Sequence, residues 1–158
     1  MAQGDGRGRG DYRFRHRWRL PARPSVVFAV LERVEEYPRW WPQVRGVEPL
    51  GPDRGTARFR SLLPVELVVT ARATRRDPEA GVLQIAMAGD LCGWARWTLS
   101  AVPGGTEALY EQRVEVRKPW MRRLSWAGRP FFVANHALMM RAGRRGLIRR
   151  LRTGLDDD

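Results

Sequence analysis

The stretch ALYEQRVEVRKP, residues 108–119, contains the point at which the hydrophobic period of the chain changes. Before the proline, apolar and polar side chains alternate, so that Tyr110 and Val114 share one face and Arg113 lies on the other. A period of two predicts a β-strand with one buried face and one face in water. Beyond Pro119 the apolar residues recur every three or four positions, which is typical of an amphipathic helix. Together the two patterns predict a sheet followed by a C-terminal helix.

The strand pattern recurs upstream of this point. Turn signals such as Gly51–Asp53 and Pro103–Gly105 separate the segments, and no helical pattern lies between them. This regular spacing predicts an antiparallel meander rather than βαβ units. The six predicted strands are Val44–Leu50, Thr56–Leu63, Val65–Arg75, Val82–Ala88, Trp94–Val102 and Glu107–Arg117.

The N-terminal region adds a strand and a helix. Over Asp11–Leu20, aromatic or apolar side chains alternate with four arginines, which predicts a further strand. Pro24 suits the first turn of a helix, and this helix must end by Pro38, because the residue before a proline is pushed out of the α region. The stretch Tyr37–Pro42 then holds three large rings, of which we expect at least one to point inward.

The C-terminal helix is predicted from about Pro130 to Arg152, with another helical segment, Trp120–Gly128, before it. Gly143 and Gly146 are costly inside a helix, so we expect something to pack very close to them. The result is an α+β fold, a curved antiparallel sheet of about seven strands around a long helix. The apolar stripe of that helix consists of Phe132, His136, Met139, Gly143, Leu147 and Leu151.

Length and composition predict one domain, residues 11–152, between a flexible Gly/Arg tail at 1–10 and an acidic tail at 153–158. The chain has 158 residues, of which 43% are hydrophobic. It has no apolar run of about 18 residues and no secretory h-region in its first ten, so we expect a cytoplasmic protein.

The chain has one cysteine, Cys92, which excludes an intrachain disulfide and a cysteine-based metal cage. We interpret it as a small buried hydrophobe rather than a nucleophile.

The chain is strongly basic, with a formal net charge of +12. Such a charge ordinarily suggests nucleic acid, an anionic membrane or an acidic partner. Of the 29 basic residues only Lys118 is a lysine, so an arginine-rich composition explains the charge equally well. The charge is concentrated at the C-terminus, where Val116–Leu155 holds eleven basic residues and no acidic one. This segment could lie peripherally on anionic lipid, or it could be a solvated face with no partner.

The order strand, helix, six strands and long helix is the helix-grip arrangement, and the chain resembles the START-like superfamily. It is most similar to the polyketide cyclase/dehydrase and lipid-transport family, which includes aromatase/cyclases and coenzyme Q-binding proteins. The resemblance implies a cavity between the sheet and the C-terminal helix for sterols, quinones, lipids or aromatic polyketides. It rests on Pro24–Phe28 with Tyr37–Pro42, Gly93–Leu99, Gly104–Glu107, and Asn135–Leu147.

Standard catalytic motifs are absent: the chain has no G-x-S-x-G, P-loop, H-E-x-x-H or Rossmann fingerprint. Two histidines cannot build a histidine-rich metal site, so we expect no metal and no cofactor. His136 could transfer a proton, although a hydrogen-bonded core histidine is the favoured interpretation. The resemblance to aromatase/cyclases implies Arg72 and Tyr37 as candidates for polarising a substrate carbonyl, unless Arg72 simply faces water.

The leading hypothesis is a non-catalytic binder or carrier of an apolar small molecule. The alternatives are a cyclase/dehydratase-type enzyme, and a module that binds nucleic acid or an anionic membrane through the basic helix. Aromatic rings and thioethers adapt to flat apolar ligands, although the same residues could be ordinary core. The predicted cavity residues are Tyr37, Trp41, Phe59, Met87, Trp94, Trp97, Tyr110, Phe132, Asn135, His136 and Met139.

Overall fold

The alternating segments form one antiparallel sheet of seven strands in the order β1-β7-β6-β5-β4-β3-β2. The computed structural model describes residues 10–60 and 66–155, except the side chains of 124–127 and 155. The predicted fold class, a curved antiparallel sheet with a long C-terminal helix, is confirmed. The elements are β1 Asp11–Leu20, α1 Pro24–Glu32, a 3₁₀ turn Val34–Glu36, α2 Tyr37–Trp40, β2 Val44–Gly51, β3 Arg54–Arg60, β4 Glu66–Asp77, β5 Val82–Gly89, β6 Leu91–Val102, β7 Gly105–Val116 and α3 Pro119–Leu155.

The register places the inward residues of neighbouring strands in rows. Tyr110 on β7 lies opposite His16 on β1 and Trp97 on β6. One step along, Gln112 lies opposite Phe14 and Ala95 in the same way. Because successive side chains on a strand point to opposite faces, these rows form one continuous inner wall.

The helix α1 ends earlier than Pro38 requires. It begins at Pro24 and buries Val27, Phe28 and Leu31, and its last residue is Glu32. Pro38 lies instead within the first turn of α2, where the missing N–H of proline leaves no helical hydrogen bond unmade. The short α2 orients Trp40 and Trp41, both of which are buried.

The terminal helix α3 is one continuous helix of 37 residues with Pro130 inside it. The two helical segments predicted on either side of residue 129 are therefore one helix, which continues to residue 155, past the domain boundary expected at residue 152. Tertiary contacts outweigh the local cost of the proline. Met121 is buried in the core. Arg129 donates to the carbonyl oxygen of Asp11 at 2.9 Å, and its guanidinium carbon lies 4.7 Å from the centre of the Tyr12 ring.

Several predictions concern residues outside the described ranges. They are the flexible tail over residues 1–9, the acidic residues 156–158, and the strand ends within 61–65. Gly10, which the sequence assigns to the tail, is described, and its carbonyl oxygen accepts a hydrogen bond from Val116 N–H at 2.9 Å.

Gly143 and Gly146 of α3 pack against Trp40 at the end of α2 and Trp41 directly after it, which confirms the expected close approach. A Cβ added to Gly143 would lie 2.5 Å from Cε2 of Trp41, and one added to Gly146 would overlap the carbonyl oxygen of Trp40. The Trp41 indole N–H also donates to the backbone carbonyl of Met139 at 3.0 Å. Only glycine lets the helix lie this close to α2.

Gly146→Ala is expected to lower the free energy of unfolding by about 2 kcal/mol or more, because the methyl group meets backbone that cannot rotate away. Gly154→Ala is the matched control, since a Cβ there meets only the end of the Arg150 side chain at 3.9 Å. In the control, the higher helix propensity of alanine should leave stability unchanged or raise it by up to about 1 kcal/mol. Urea denaturation measures both variants, and equal stability of the two would contradict the packing described here.

Candidate ligand-binding cavity

A cavity of about 360 Å³ lies between the inner face of the sheet and α3. This volume falls within the range of about 300–1,000 Å³ that is usual for small-molecule sites. Its space arises from small side chains at inward strand positions, where larger residues would fill the interior. Those positions are Ala57 on β3, Ala71 and Ala73 on β4, and Ala95 on β6.

The two parts of α3 play different roles around the cavity. Toward the C-terminus, Met140, Leu147 and Leu151 are buried in the core. Toward the N-terminus, Phe132 and Met139 line the cavity. The helix therefore packs tightly at one end and forms a cavity wall along the rest.

The mouth of the cavity is formed by its exposed lining residues. They come from the 3₁₀ turn with Glu35, the β2–β3 hairpin with Asp53, and the end of β4 with Arg76. A hydrogen bond of 2.8 Å from Ala73 N–H to the Asp53 carbonyl holds the hairpin against β4. Charges of both signs thus surround an opening that leads to an apolar interior.

A chain of hydrogen-bonded polar groups lies in the mostly apolar wall. The Tyr110 hydroxyl donates to Oε1 of Gln112 at 2.8 Å, and Nε2 of His136 lies 3.0 Å from the same oxygen. The Gln112 amide nitrogen lies 4.0 Å from the Met87 sulfur. This network links β7 to α3 across the cavity wall.

The imidazole of His136 is neutral over the physiological pH range. Burial, and secondarily the neighbouring His16, lower the pKa of His136 to about 3. Because the Gln112 oxygen accepts, the network assigns the proton of the neutral ring to Nε2. Phe14 stacks on this ring with centroids 3.6 Å apart, which fixes its orientation.

Two of the cavity tyrosines, Tyr37 and Tyr110, are deeply buried and held in the protonated form. Burial is the main cause that raises the pKa of both Tyr37 and Tyr110 above its ordinary value. The Tyr37 hydroxyl donates to the backbone carbonyl of Leu31 at 2.7 Å, so this group ties α2 to the end of α1.

Most of the predicted site residues line the cavity, but two of them lie outside it. Trp94 does not line the cavity: it lies on the outer face, with the Arg96 guanidinium carbon 5.1 Å from its ring centre. A spacing of three residues cannot put Trp94 and Trp97 on the same face of a regular strand. The predicted residues that do line the cavity are Tyr37, Trp41, Phe59, Met87, Trp97, Tyr110, Phe132, Asn135, His136 and Met139.

Arg72 also lies outside the cavity. Its neighbours Ala71 and Ala73 line the interior, so Arg72 points to the outer face, where it is exposed. The expectation that it polarises a substrate carbonyl inside the cavity is therefore wrong.

Sequence reasoning missed Gln112 as a site residue, although a signal for it was present. It is a polar side chain on the apolar face of β7 and is only 7% exposed. A buried amide needs hydrogen-bond partners, which Tyr110 and His136 supply. Tyr12 and Phe14 were also missed, and both line the cavity.

Within the described residues, no group of three or more histidine, cysteine, aspartate or glutamate side chains could hold a metal ion. Nor does any helix in these ranges have both the length and the apolar content needed to cross a membrane.

A curved antiparallel sheet with an apolar cavity beneath its C-terminal helix defines the helix-grip class of α+β proteins. The chain belongs to the polyketide cyclase/dehydrase and lipid transport family, whose sequence profile matches residues 20–152. This confirms the resemblance seen in the sequence. Membership supports hydrophobic ligand binding or polyketide cyclase/dehydrase activity in general, without specifying which. Comparison with curated proteins gives no match.

Solved structures share the fold at low sequence identity. The Zhui aromatase/cyclase from Streptomyces sp. R1128 superposes with a TM-score of 0.74 at 15% identity, covering 89% of this chain and 93% of its own. A conserved protein from Geobacillus kaustophilus gives 0.73 at 11% identity, covering 90% and 95%. A START superfamily protein from Mycobacterium smegmatis gives 0.58 at 17% identity, covering 84% and 96%.

The lowered pKa of His136 predicts a loss of stability in acid. The unfolded imidazole titrates near 6.5, so below that pH the unfolded chain binds a proton that the folded chain excludes until about pH 3. Between pH 7 and pH 5 this residue should remove about 2 kcal/mol from the free energy of unfolding.

Urea denaturation at the two pH values measures this loss in the parent and in His136→Phe, which keeps an aromatic ring against Phe14. The phenylalanine variant should lose correspondingly less stability on acidification. His16→Gln is the control and should retain the larger part of the dependence. Identical pH dependence in His136→Phe and the parent would contradict the assignment.

Proposed function

We propose that the protein binds and carries an apolar small molecule in the cavity beneath α3. The observation that carries this proposal is a space of about 360 Å³ with a mostly apolar lining, a hydrogen-bonded polar chain on its inner wall and charged residues at its mouth. Burying apolar surface there gives the main driving force for binding. The aromatic rings of Trp41, Trp97 and Phe132 favour a ligand with flat or extended apolar parts.

The polar chain and the mouth suggest how such a ligand is oriented. The Gln112 amide lies on the inner wall, flanked by Phe14 and Ala95 in its row. A ligand with one polar atom directed at this row and an apolar remainder would suit the lining. The mouth beside the β2–β3 hairpin provides a route for exchange that does not require α3 to unfold.

A cyclase/dehydratase-type enzyme is the second candidate. Support for it comes from the protein family, from the fold shared with the aromatase/cyclase, and from the chain Tyr110–Gln112–His136 inside the cavity. The individual groups favour binding over catalysis. His136, with a pKa of about 3, is a weak base in the ligand-free protein, and the Tyr37 hydroxyl is already bonded to the Leu31 carbonyl.

Filling the cavity should abolish uptake of an apolar probe. Ala71→Trp places an indole in the interior, and Thr70→Trp places the same group on the outer face one residue earlier. With N-phenyl-1-naphthylamine as a fluorescent probe, the first variant should bind at least about tenfold more weakly than the parent, and the second should match the parent.

Thermal unfolding checks that both variants fold, and Ala57→Phe provides a second filling substitution at another lining position. If Ala71→Trp and Ala57→Phe fold and still bind the probe like the parent, the cavity is not the binding site. If the parent takes up no probe, the proposed carrier function fails.

A further inference from the structure

The side of α3 that faces away from the sheet, called here its outward half, carries large apolar side chains that are exposed to water. Trp120 is 40% exposed, Phe131 is 51% exposed and Leu138 is 45% exposed. They are separated by eleven and seven residues, which correspond to about three and two helical turns, so they fall on one line along the helix. Exposed apolar residues that align in this way indicate a contact surface rather than scattered surface variation.

The same outward half is rich in arginine. The helix α3 contains no aspartate or glutamate. Within the described residues, Arg150 at the flank of the helix pairs with Glu36 at 3.7 Å, but no ion pair involves Arg141, Arg145 or Arg149. The exposed arginines on this half of α3 are Arg123, Arg141, Arg145, Arg149 and Arg152.

We propose that this outward face of α3 docks on an anionic lipid bilayer. Aromatic and aliphatic side chains gain free energy by leaving water for the boundary between headgroups and acyl chains. Guanidinium groups on long stems reach the phosphate and other anionic headgroups from the same helix. The arginines thus fit the anionic headgroups of a bilayer, and the exposed apolar side chains fit the acyl chains beneath them.

The apolar component distinguishes a bilayer from nucleic acid. A phosphate backbone would be matched by the arginines, and an aromatic ring could stack on a base. Leu138, however, gains little from phosphates or base edges, whereas its side chain suits a lipid interface.

The docking face lies directly behind the cavity wall. Phe132 and Met139 line the cavity, while their neighbours Phe131 and Leu138 point outward. Docking would therefore place the membrane against the helix that closes the cavity. This surface goes beyond the ligand-binding proposal and does not depend on what fills the cavity.

Co-sedimentation of the full chain with lipid vesicles tests the surface. The probes are vesicles of phosphatidylcholine alone and vesicles with about 30% phosphatidylglycerol. The parent should bind the anionic vesicles and leave the neutral ones. Arg145→Ala with Arg149→Ala should weaken binding about thirtyfold, since two cations leave the membrane surface.

Two matched controls separate this face from the net charge of the protein. Arg13→Ala with Arg15→Ala removes the same charge from the exposed outer face of β1 and should change binding by less than about threefold. Phe131→Ser with Leu138→Ser should weaken binding, whereas Leu50→Ser, at a residue that is 59% exposed elsewhere, should not.

Three results would overturn the proposal. One is an absence of binding to anionic vesicles, and another is an equal loss of binding for the α3 and β1 arginine pairs. The third is tighter binding to a short DNA duplex that the α3 arginine substitutions abolish while the Phe131 and Leu138 substitutions leave it intact. None of these results bears on probe uptake by the cavity, which is measured separately.

Discussion

The packing of two tryptophans against two glycines sets the position of the terminal helix. Trp40 and Trp41 cover Gly146 and Gly143, and the Trp41 indole bonds to the helix backbone at Met139. A side chain at either glycine would push α3 away from α2. This contact fixes one end of the helix against the core, while the rest of the helix spans the inner face of the sheet.

Because α3 is anchored at one end, the space under its other part depends on the side chains that the sheet presents. Alanines on β3, β4 and β6 leave that space open, and aromatic residues on β1 and β6 surround it. The amide of Gln112 then acts as a polar cross-link, since it accepts hydrogen bonds from Tyr110 on its own strand and from His136 on the helix. Burial of this network keeps His136 neutral, so this polar part of the wall carries no charge.

The period of the sequence predicted the order of elements well, because alternation and helical spacing are local consequences of which face is buried. It could not predict that α3 runs through Pro130, since contacts distant in sequence, such as Arg129 with Asp11, decide that. The site residues show the same division between local and long-range causes. The alternation of side chains along a strand would have been enough to place Trp94 on the outer face. The hydrogen bond between Gln112 and His136, in contrast, depends on how the helix crosses the sheet.

Whether the space beneath α3 holds a guest molecule can be determined by native mass spectrometry of the full chain, recorded as purified and after exposure to a mixture of quinones, sterols and fatty acids. A complex of one protein with one apolar molecule is expected, and the molecule should be released intact when the protein is denatured. If only the bare protein mass is found under both conditions, the cavity holds no guest and the proposed function is wrong.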